Sequence, residues 1–578
     1  MIELTGGEAL WRSLAPERVD LVFGVTGGKL SALMQAIAAT PNVRYVGTRH
    51  EGAAALMAAG DAAATGRLSM VIGECGTGAV NLASGIAVAN ANSLSIIAVT
   101  SNNQHAVSYP ARGMFASMDT ESLFRPLTKW NAAVHDGRRI PELVRSAIRE
   151  ACTGRRGAVH LDVPQDLLRS RFFYDPGEFD RQSSDYRLVD GPAPTEAQCA
   201  AAARLIGSAS KPLMIAGGGV AQSGAAEAFR ALAARVGAAT AATQSALGVV
   251  SSEDPRYAGH AAVISGPAFA RACREADVVV AVGCRLSPWL WDEAGPKFGA
   301  QMKLIHISTD PAVLGAHWPA GVAIQADARL ALAGILERVG APTARAEVRG
   351  WTGSLLATRE AHRAALRALA ADSTEPMHPA TLASEFASAL PQDAIVVYDG
   401  GHTTFWTNDF TPCDAPRTRF NEAGMTQLGF GLPYALAMKS RRPAAPVFNV
   451  TGDGAFGFTV QELDTARRYG LPVVNIVHNN ASWGVIKIAH QRGYGFTLGD
   501  DLEGTDYAAI ARGFGCHGES VSTRAEVAPA IARALASGLP AVIDCRVRFE
   551  PHPGLPDFGR MGSYGMAPPP ASPAPAAR

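Results

Sequence analysis

Short β-branched runs alternate with Ala/Leu-rich stretches over nearly the whole chain, and this constrains its fold more than any other feature. Residues 21–25, Leu-Val-Phe-Gly-Val, read as a strand entering a glycine turn and then a helix. Residues 69–72, 95–99 and 158–163 read the same way. Apolar strands separated by helical stretches imply parallel sheets covered by helices on both faces. The alternation restarts twice, after polar, proline-bearing stretches near residues 171–194 and 342–379. The middle block has strands at 212–216, 276–283 and 303–308; the last has them at 394–398, 447–451, 473–478 and 541–545. A chain of 578 residues is too long for one core. The expectation is an α/β protein of three doubly wound domains, 1–170, 190–340 and 375–550. Residues 551–578 would form a lid and, from about 566, a Pro/Ala/Ser-rich disordered tail.

Lys+Arg and Asp+Glu both number 52, so the chain offers no net charge to nucleic acid or an anionic membrane. Its most apolar stretch, near residues 83–99, is broken by Asn90, Asn92 and Ser93 and is too polar to span a bilayer. The eight cysteines show no C-x-x-C pair or zinc spacing and read as reduced thiols. With no signal-peptide pattern at the start, a cytoplasmic protein is expected.

The strongest chemical signal lies in the last block. The strand 447–451 runs into Gly452-Asp453-Gly454, then a helix, then the strand 473–478, then Asn479-Asn480-Ala481-Ser482. A diphosphate needs a hard cation with oxygen ligands. Asp453 supplies a charged one at a strand's carboxyl end, where α/β sheets bind ligands. Gly452 and Gly454 let backbone N–H groups approach phosphates at a helix N-terminus. Asn480 adds a side-chain oxygen and Ser482 a carbonyl. GDG alone also fits an ordinary turn; the Asn-Asn one helix and one strand later favours the site.

GDG followed at this spacing by NN resembles the thiamine diphosphate-dependent enzymes, in the branch of acetolactate synthase and benzaldehyde lyase, over residues 1–550. The resemblance implies thiamine diphosphate and Mg2+, with Asp453, Asn480 and the Ser482 carbonyl as metal ligands. It implies that Gly452, Gly454 and Ala455 contact the diphosphate, followed by Trp483 and Gly484. Gly401, His402 and Thr403 match the family's other diphosphate turn. Gln427 precedes Leu428, which matches the bulky residue that props the cofactor in its bent form.

Glu51 opens an Ala-rich helix after a strand ending near Gly47. Local sequence alone allows a dipole-favoured helix-start residue. The resemblance makes it the catalytic acid that hydrogen-bonds N1′ of the aminopyrimidine, in an apolar setting that raises its pKa toward neutrality. His50 is left unassigned. The family's pairing of this Glu with a partner subunit's GDG implies a homodimer or homotetramer with active sites at the interface.

In the middle block, Gly217-Gly218-Gly219 follows a strand without a G-x-G-x-x-G fingerprint. A domain without flavin is expected ahead of one holding FAD. Departures from the relatives fall where substrate should lie. Lys29 follows Gly27-Gly28; Cys75-Gly76-Thr77-Gly78, preceded by Glu74, stands where the relatives have Ser-Gly-Pro-Gly; and the substrate loop reads Gly113-Met114-Phe115. Gly28, Lys29, Cys75, Phe115, Trp483 and Ile486 are the candidate substrate-pocket residues, with Lys29 offered to a substrate carboxylate.

The functional expectation is a carboligase or lyase acting on a 2-oxo acid or 2-hydroxy ketone. A 2-oxo acid decarboxylase is the alternative. An NAD-dependent dehydrogenase and an inactive cofactor-binding subunit are more distant ones.

Overall fold

Strands apolar on both faces need cover on both faces, and each of the three blocks resolves into a six-stranded parallel sheet flanked by helices. The computed structural model describes residues 1–262, 264–287, 290–292, 295–340 and 345–555. The first sheet runs Arg44–Gly47, Leu21–Gly24, Ser69–Gly73, Ile96–Asn102, Ala158–Pro164, Trp130–Ala133. The last runs Arg419–Asn421, Ile395–Tyr398, Val447–Gly452, Val473–Asn479, Ala541–Arg546, His517–Val521. Numbered within each sheet by chain order, both are 2-1-3-4-6-5. The middle sheet runs Tyr257–His260, Ala239–Ala242, Pro212–Ala216, Val278–Val282, Lys303–Ser308, Ala320–Gln325, which is 3-2-1-4-5-6, the doubly wound nucleotide-binding order. In the first and last sheets the chain reverses direction between the first and third strands. The loops leaving the carboxyl ends of those strands are where such sheets bind ligands.

By density of contact the chain divides into two units. One holds residues 1–190, 422–447 and 459–473; the other holds 191–421, 448–458 and the chain from 474 on. Within the first unit the helix Gly431–Arg441 lies against the helix Glu51–Thr65, and Gly60 makes the approach possible. A Cβ there would stand 3.0 Å from Tyr434 Cα. Arg441 locks the pair by reaching Asp61, 1% exposed, and Asp20 at 2.6 Å.

The proline-bearing stretch near residues 342–379 is not simply a separator. Ala346–Ala370 is a 25-residue helix. Val348, Trp351, Thr352, Leu355, Arg359 and Leu366 are buried at three- and four-residue spacing, the pattern of a helix with one covered face. The expected lid and tail lie outside the described residues from 556 on; in the part that is described, His552 and Leu555 are buried. Among the described residues no helix is long and apolar enough to cross a membrane. All eight cysteines are free.

Candidate active site

Three turns meet in the second unit, each leaving the carboxyl end of a strand in the last sheet. Gly400, at φ +81°, starts the helix Gly401–Phe410; Gly452 precedes Asp453; and residues 480–483 lead into the helix Gly484–Tyr494. Glycine allows them to touch. A Cβ on Gly452 would stand 3.2 Å from Thr403 Oγ1, one on Gly401 2.9 Å from Val485 Cγ2, and one on Gly484 3.0 Å from His402 Nδ1. A Cβ on Gly454 would fall 2.5 Å from the Trp483 ring. The N-termini of two full helices thus face the same place, which suits an anion.

Asp453 is only 4% exposed, and its Oδ2 is buried without a hydrogen-bond partner. Burial pushes its carboxyl up to about 6, against the pull of the Gly454, Ser482 and Ala481 N–H groups. An unsatisfied buried carboxylate oxygen is costly. It is also what an oxygen-ligated cation requires. Asn480 Oδ1 lies nearby, accepting from Ser482 N at 3.1 Å and Ser482 Oγ at 3.0 Å. Residues 500–502 fix this loop through Trp483 N to Asp500 O at 2.8 Å and Leu502 N to Ala481 O at 2.7 Å. Tyr507 donates to Asp453 O at 2.7 Å. Among the described residues no three His, Cys, Asp or Glu side chains converge as a metal site. An Asp–Asn–carbonyl set does not need them, and the orphaned oxygen shows that these residues fit a divalent ion.

His402, in the first of the three turns, is held from behind by the end of the described chain. The His552 N–H donates to His402 Nε2 at 3.2 Å, and His552 Nε2 meets Asp409 Oδ2 at 3.1 Å. Burial, then the neighbouring His552, lowers His402 to about 4, so its imidazole is neutral. Burial pushes Asp409's carboxyl up, but the imidazoles of His362 and His552 outweigh this and hold it below the usual range. Neither His552 nor Asp409 carries a local sequence signal for this role.

In the first unit Glu51 begins the helix Glu51–Thr65, and His50 caps it by accepting from Gly52 N at 3.0 Å. The carboxyl is not in a purely apolar setting. Asn81 Nδ2 donates to Glu51 Oε2 at 2.9 Å, while Oε1 faces Gly78, whose missing Cβ would lie 3.2 Å away. Asn81 fixes one oxygen and leaves the other to act. It lies one turn into the helix Thr77–Ala91, and only the packing of that helix on Glu51–Thr65 reveals it.

The loops around Glu51 hold the expected substrate-side residues. Lys29 Nζ pairs with Glu74 Oε1 at 3.1 Å and lies 5.6 Å from the Phe115 ring centre. Burial lowers the Lys29 pKa, but Glu74 and Cys75 more than offset it, so Lys29 stays charged. Cys75 is 3% exposed and its thiol is pushed up by burial, as befits a filler rather than a nucleophile. Gly28 faces open space. The Phe115 loop hangs on a buried carboxylate. Asp162 accepts from Thr100 Oγ1 at 2.5 Å, Asn102 Nδ2 at 2.7 Å and Tyr109 OH at 2.6 Å, and Asn103 Nδ2 reaches Phe115 O at 3.0 Å.

Gln427 and Leu428 also belong to the first unit, in a turn built on Glu422. Its carboxylate accepts from Gly424 N and Met425 N at 2.7 Å, Gln427 N at 2.8 Å and Asn92 Nδ2 at 2.6 Å. This buried anchor holds Leu428 half-buried, and sequence reasoning missed it. In the second unit Trp483 is half-buried and Ile486 is exposed. In the middle domain the glycines at 217 and 219 serve close packing. A Cβ at Gly217 would fall 2.1 Å from Gly283 O, and one at Gly219 2.8 Å from Gly283 Cα.

Comparison with known families finds three matching domain models along the chain. The thiamine pyrophosphate enzyme N-terminal TPP binding domain matches residues 4–123, the central domain 199–335, and the C-terminal TPP binding domain 399–545. The chain is 30% identical over 571 residues to a Methanocaldococcus jannaschii protein named "Probable acetolactate synthase large subunit", covering 96% of this chain and 94% of that one. It is 30% identical over 552 residues to the acetolactate synthase large subunit of Corynebacterium glutamicum, covering 94% and 86%. It is 30% identical over 562 residues to that of Parasynechococcus marenigrum, covering 94% and 88%.

Proposed function

This chain belongs to the thiamine pyrophosphate enzymes, in the acetolactate synthase-like branch, and from that premise we propose that it is a Mg2+-dependent carboligase or lyase acting on a 2-oxo acid or 2-hydroxy ketone. The observation that carries the reading is Asp453. Its oxygen is buried and unpartnered in a turn beside the starts of two helices, a place that suits a divalent ion and a diphosphate together.

Asp453, Asn480 and the Ser482 carbonyl would hold Mg2+. Gly401, His402, Thr403, Gly452, Gly454 and Ala455, with Trp483 and Gly484, would line the diphosphate, and Gln427 and Leu428 the cofactor's bend. When bound, thiamine diphosphate supplies a nucleophilic carbon and a sink for the electrons left on the substrate's carbonyl carbon. The chain's own part is to bind, orient and move a proton. Glu51 would move a proton to and from N1′ of the pyrimidine through the oxygen that Asn81 leaves free. The neutral His402 would help hold the diphosphate without adding charge.

The assembly proposed is a homodimer or homotetramer with Glu51 and Asp453 contributed by different subunits. Exposed Met114, Phe115 and Met425 in one unit, and Phe458, Ile486, Tyr494 and Leu498 in the other, suit cover by a second copy. The glycine packing at 217–219 supports a middle domain without flavin. The free cysteines support the cytoplasmic location proposed here.

The test is a screen of 2-oxo acids and aldehydes with thiamine diphosphate and Mg2+, with products read by mass spectrometry. A ligated product is expected; an aldehyde alone makes the enzyme a decarboxylase. Glu51→Gln should abolish turnover and leave cofactor affinity within a few-fold. A fully active Glu51→Gln enzyme refutes the role given to this acid.

A further inference from the structure

Beside Glu51 stands a charge pair that the proposed reaction does not use. Lys29 and Glu74 leave different strands of the first sheet and meet at 3.1 Å, with side chains 12% and 28% exposed. The pair is built in. A Cβ on Gly27 would fall 2.0 Å from Glu74 Oε2, so only glycine at 27 leaves room for this carboxylate. Gly78 places it next to the catalytic acid, since a Cβ there would be 3.2 Å from Glu51 Oε1 and 3.8 Å from Glu74 Cβ. The Phe115 ring, 87% exposed, covers the ammonium, and Gly28 next to Lys29 faces open space. The Cys75 thiol, Glu51 and the buried Asp162 are the other titratable groups close by.

We propose that Glu74 is a specificity-determining residue: by neutralising Lys29 it leaves the substrate side of Glu51 without net positive charge there. The site then admits 2-oxo acids with uncharged side chains and turns away those with a second carboxylate. This rests on the reaction class proposed above. The attraction between unit charges is about four times stronger at the effective dielectric of a protein surface than in water. A partly desolvated ammonium without its partner would therefore draw a substrate carboxylate into Glu74's place. With Glu74 present, that carboxylate meets a like charge already seated.

The experiment compares wild type, Glu74→Gln and the double variant Lys29→Gln/Glu74→Gln as holoenzymes. It measures kcat/KM for 2-oxoglutarate relative to pyruvate, and the binding of both acids by calorimetry. The ratio should rise at least tenfold in Glu74→Gln and fall back in the double variant. Lys29→Gln, which bares Glu74, gives a reading that does not depend on how Glu74→Gln folds. Its preference for a guanidino-substituted 2-oxo acid over pyruvate should rise at least tenfold. An unmoved ratio in Glu74→Gln, or one as high in the double variant, overturns the inference. If wild type turns over no 2-oxo acid, the reaction class fails, while the binding ratios still decide whether Glu74 sets charge selectivity.

Discussion

Replacing Asp453 by Asn should stabilise the cofactor-free protein at alkaline pH and destroy its response to cofactor. The carboxyl is buried with one oxygen unpartnered, and its pKa is pushed from the ordinary 3.8 to about 6. A folded-state pKa above the unfolded one means that the fold prefers the protonated acid. The associated stability is fully present below about 3.8 and is lost as pH rises through about 6. At about 1.4 kcal/mol per pH unit between the two values, ionising Asp453 costs up to about 3 kcal/mol by pH 8. Asn has the same shape and no charge to bury. Without cofactor, Asp453→Asn should therefore melt above wild type at pH 8, by up to roughly 6–12 °C at ~2–4 °C per kcal/mol for a cooperative unit of 150–250 residues. Near pH 4.5 the gap should shrink to about 1 kcal/mol. With thiamine diphosphate and Mg2+ at 100 times Kd, wild type gains about 2.7 kcal/mol and the variant almost nothing, so the gap at pH 8 nearly closes; at 1,000 times Kd the gain is about 4.1 kcal/mol and the order reverses. Thermal scans from pH 4.5 to 8, in EDTA and in saturating cofactor, read both effects. An Asp453→Asn protein less stable than wild type at pH 8 in EDTA, or a gap that does not change with pH, would show that this carboxylate is not held at a cost for an ion.

Gly454→Ala places a methyl 2.5 Å from the Trp483 ring and should weaken thiamine diphosphate binding at least tenfold, seen as a shifted titration of tryptophan fluorescence. Asn81→Ala removes the donor 2.9 Å from Glu51 Oε2 and should lower kcat about 10–100-fold, with cofactor affinity nearly unchanged. Parallel losses of affinity and kcat would mean that Asn81 acts on binding instead. Glu51→Gln and Asp453→Ala chains, each inactive alone, should recover about a quarter of wild-type activity when refolded together or co-expressed, because half the dimers are mixed and each mixed dimer has one intact site. No recovery, with mixed dimers confirmed by mass spectrometry, would place both acids of a site on one chain.

Much of the fold was legible because its signals are local. Each central strand is a short apolar run ending in glycine or a polar turn, and residues 447–454 show strand, turn and acid in eight consecutive positions. Edge strands were harder. Trp130–Ala133 and Arg419–Asn421 are short, and only their neighbours define them. The helix Ala346–Ala370 was masked by the prolines around it, although its buried positions recur every three or four residues. The site's supporting groups were illegible for a different reason. Asn81 lies 30 residues from Glu51, and Asn92 lies 330 from Glu422. A side-chain amide acquires such a role only when two helices or a helix and a turn come together, and single-chain spacing does not encode that. Lys29 shows the same limit: sequence offers its charge to a substrate, but Glu74, 45 residues on, already holds it.

The two acids that matter most stand in similar places, each opening a helix after a strand of a sheet ordered 2-1-3-4-6-5, yet their surroundings are opposite. Glu51 has one oxygen satisfied by a neutral amide and the other left room by a glycine. Asn81 thus fixes the orientation of this carboxyl and leaves Oε1 room to meet a partner. Asp453 is buried, with one oxygen facing no donor, and its ionised form is disfavoured until a cation arrives. Had Asp453 been given an amide partner like Asn81, that amide would compete with the metal for the same lone pairs. On the proposed reading the same residue chemistry would serve proton exchange in one sheet and ion binding in the other, and the neighbour facing each carboxyl oxygen would decide which.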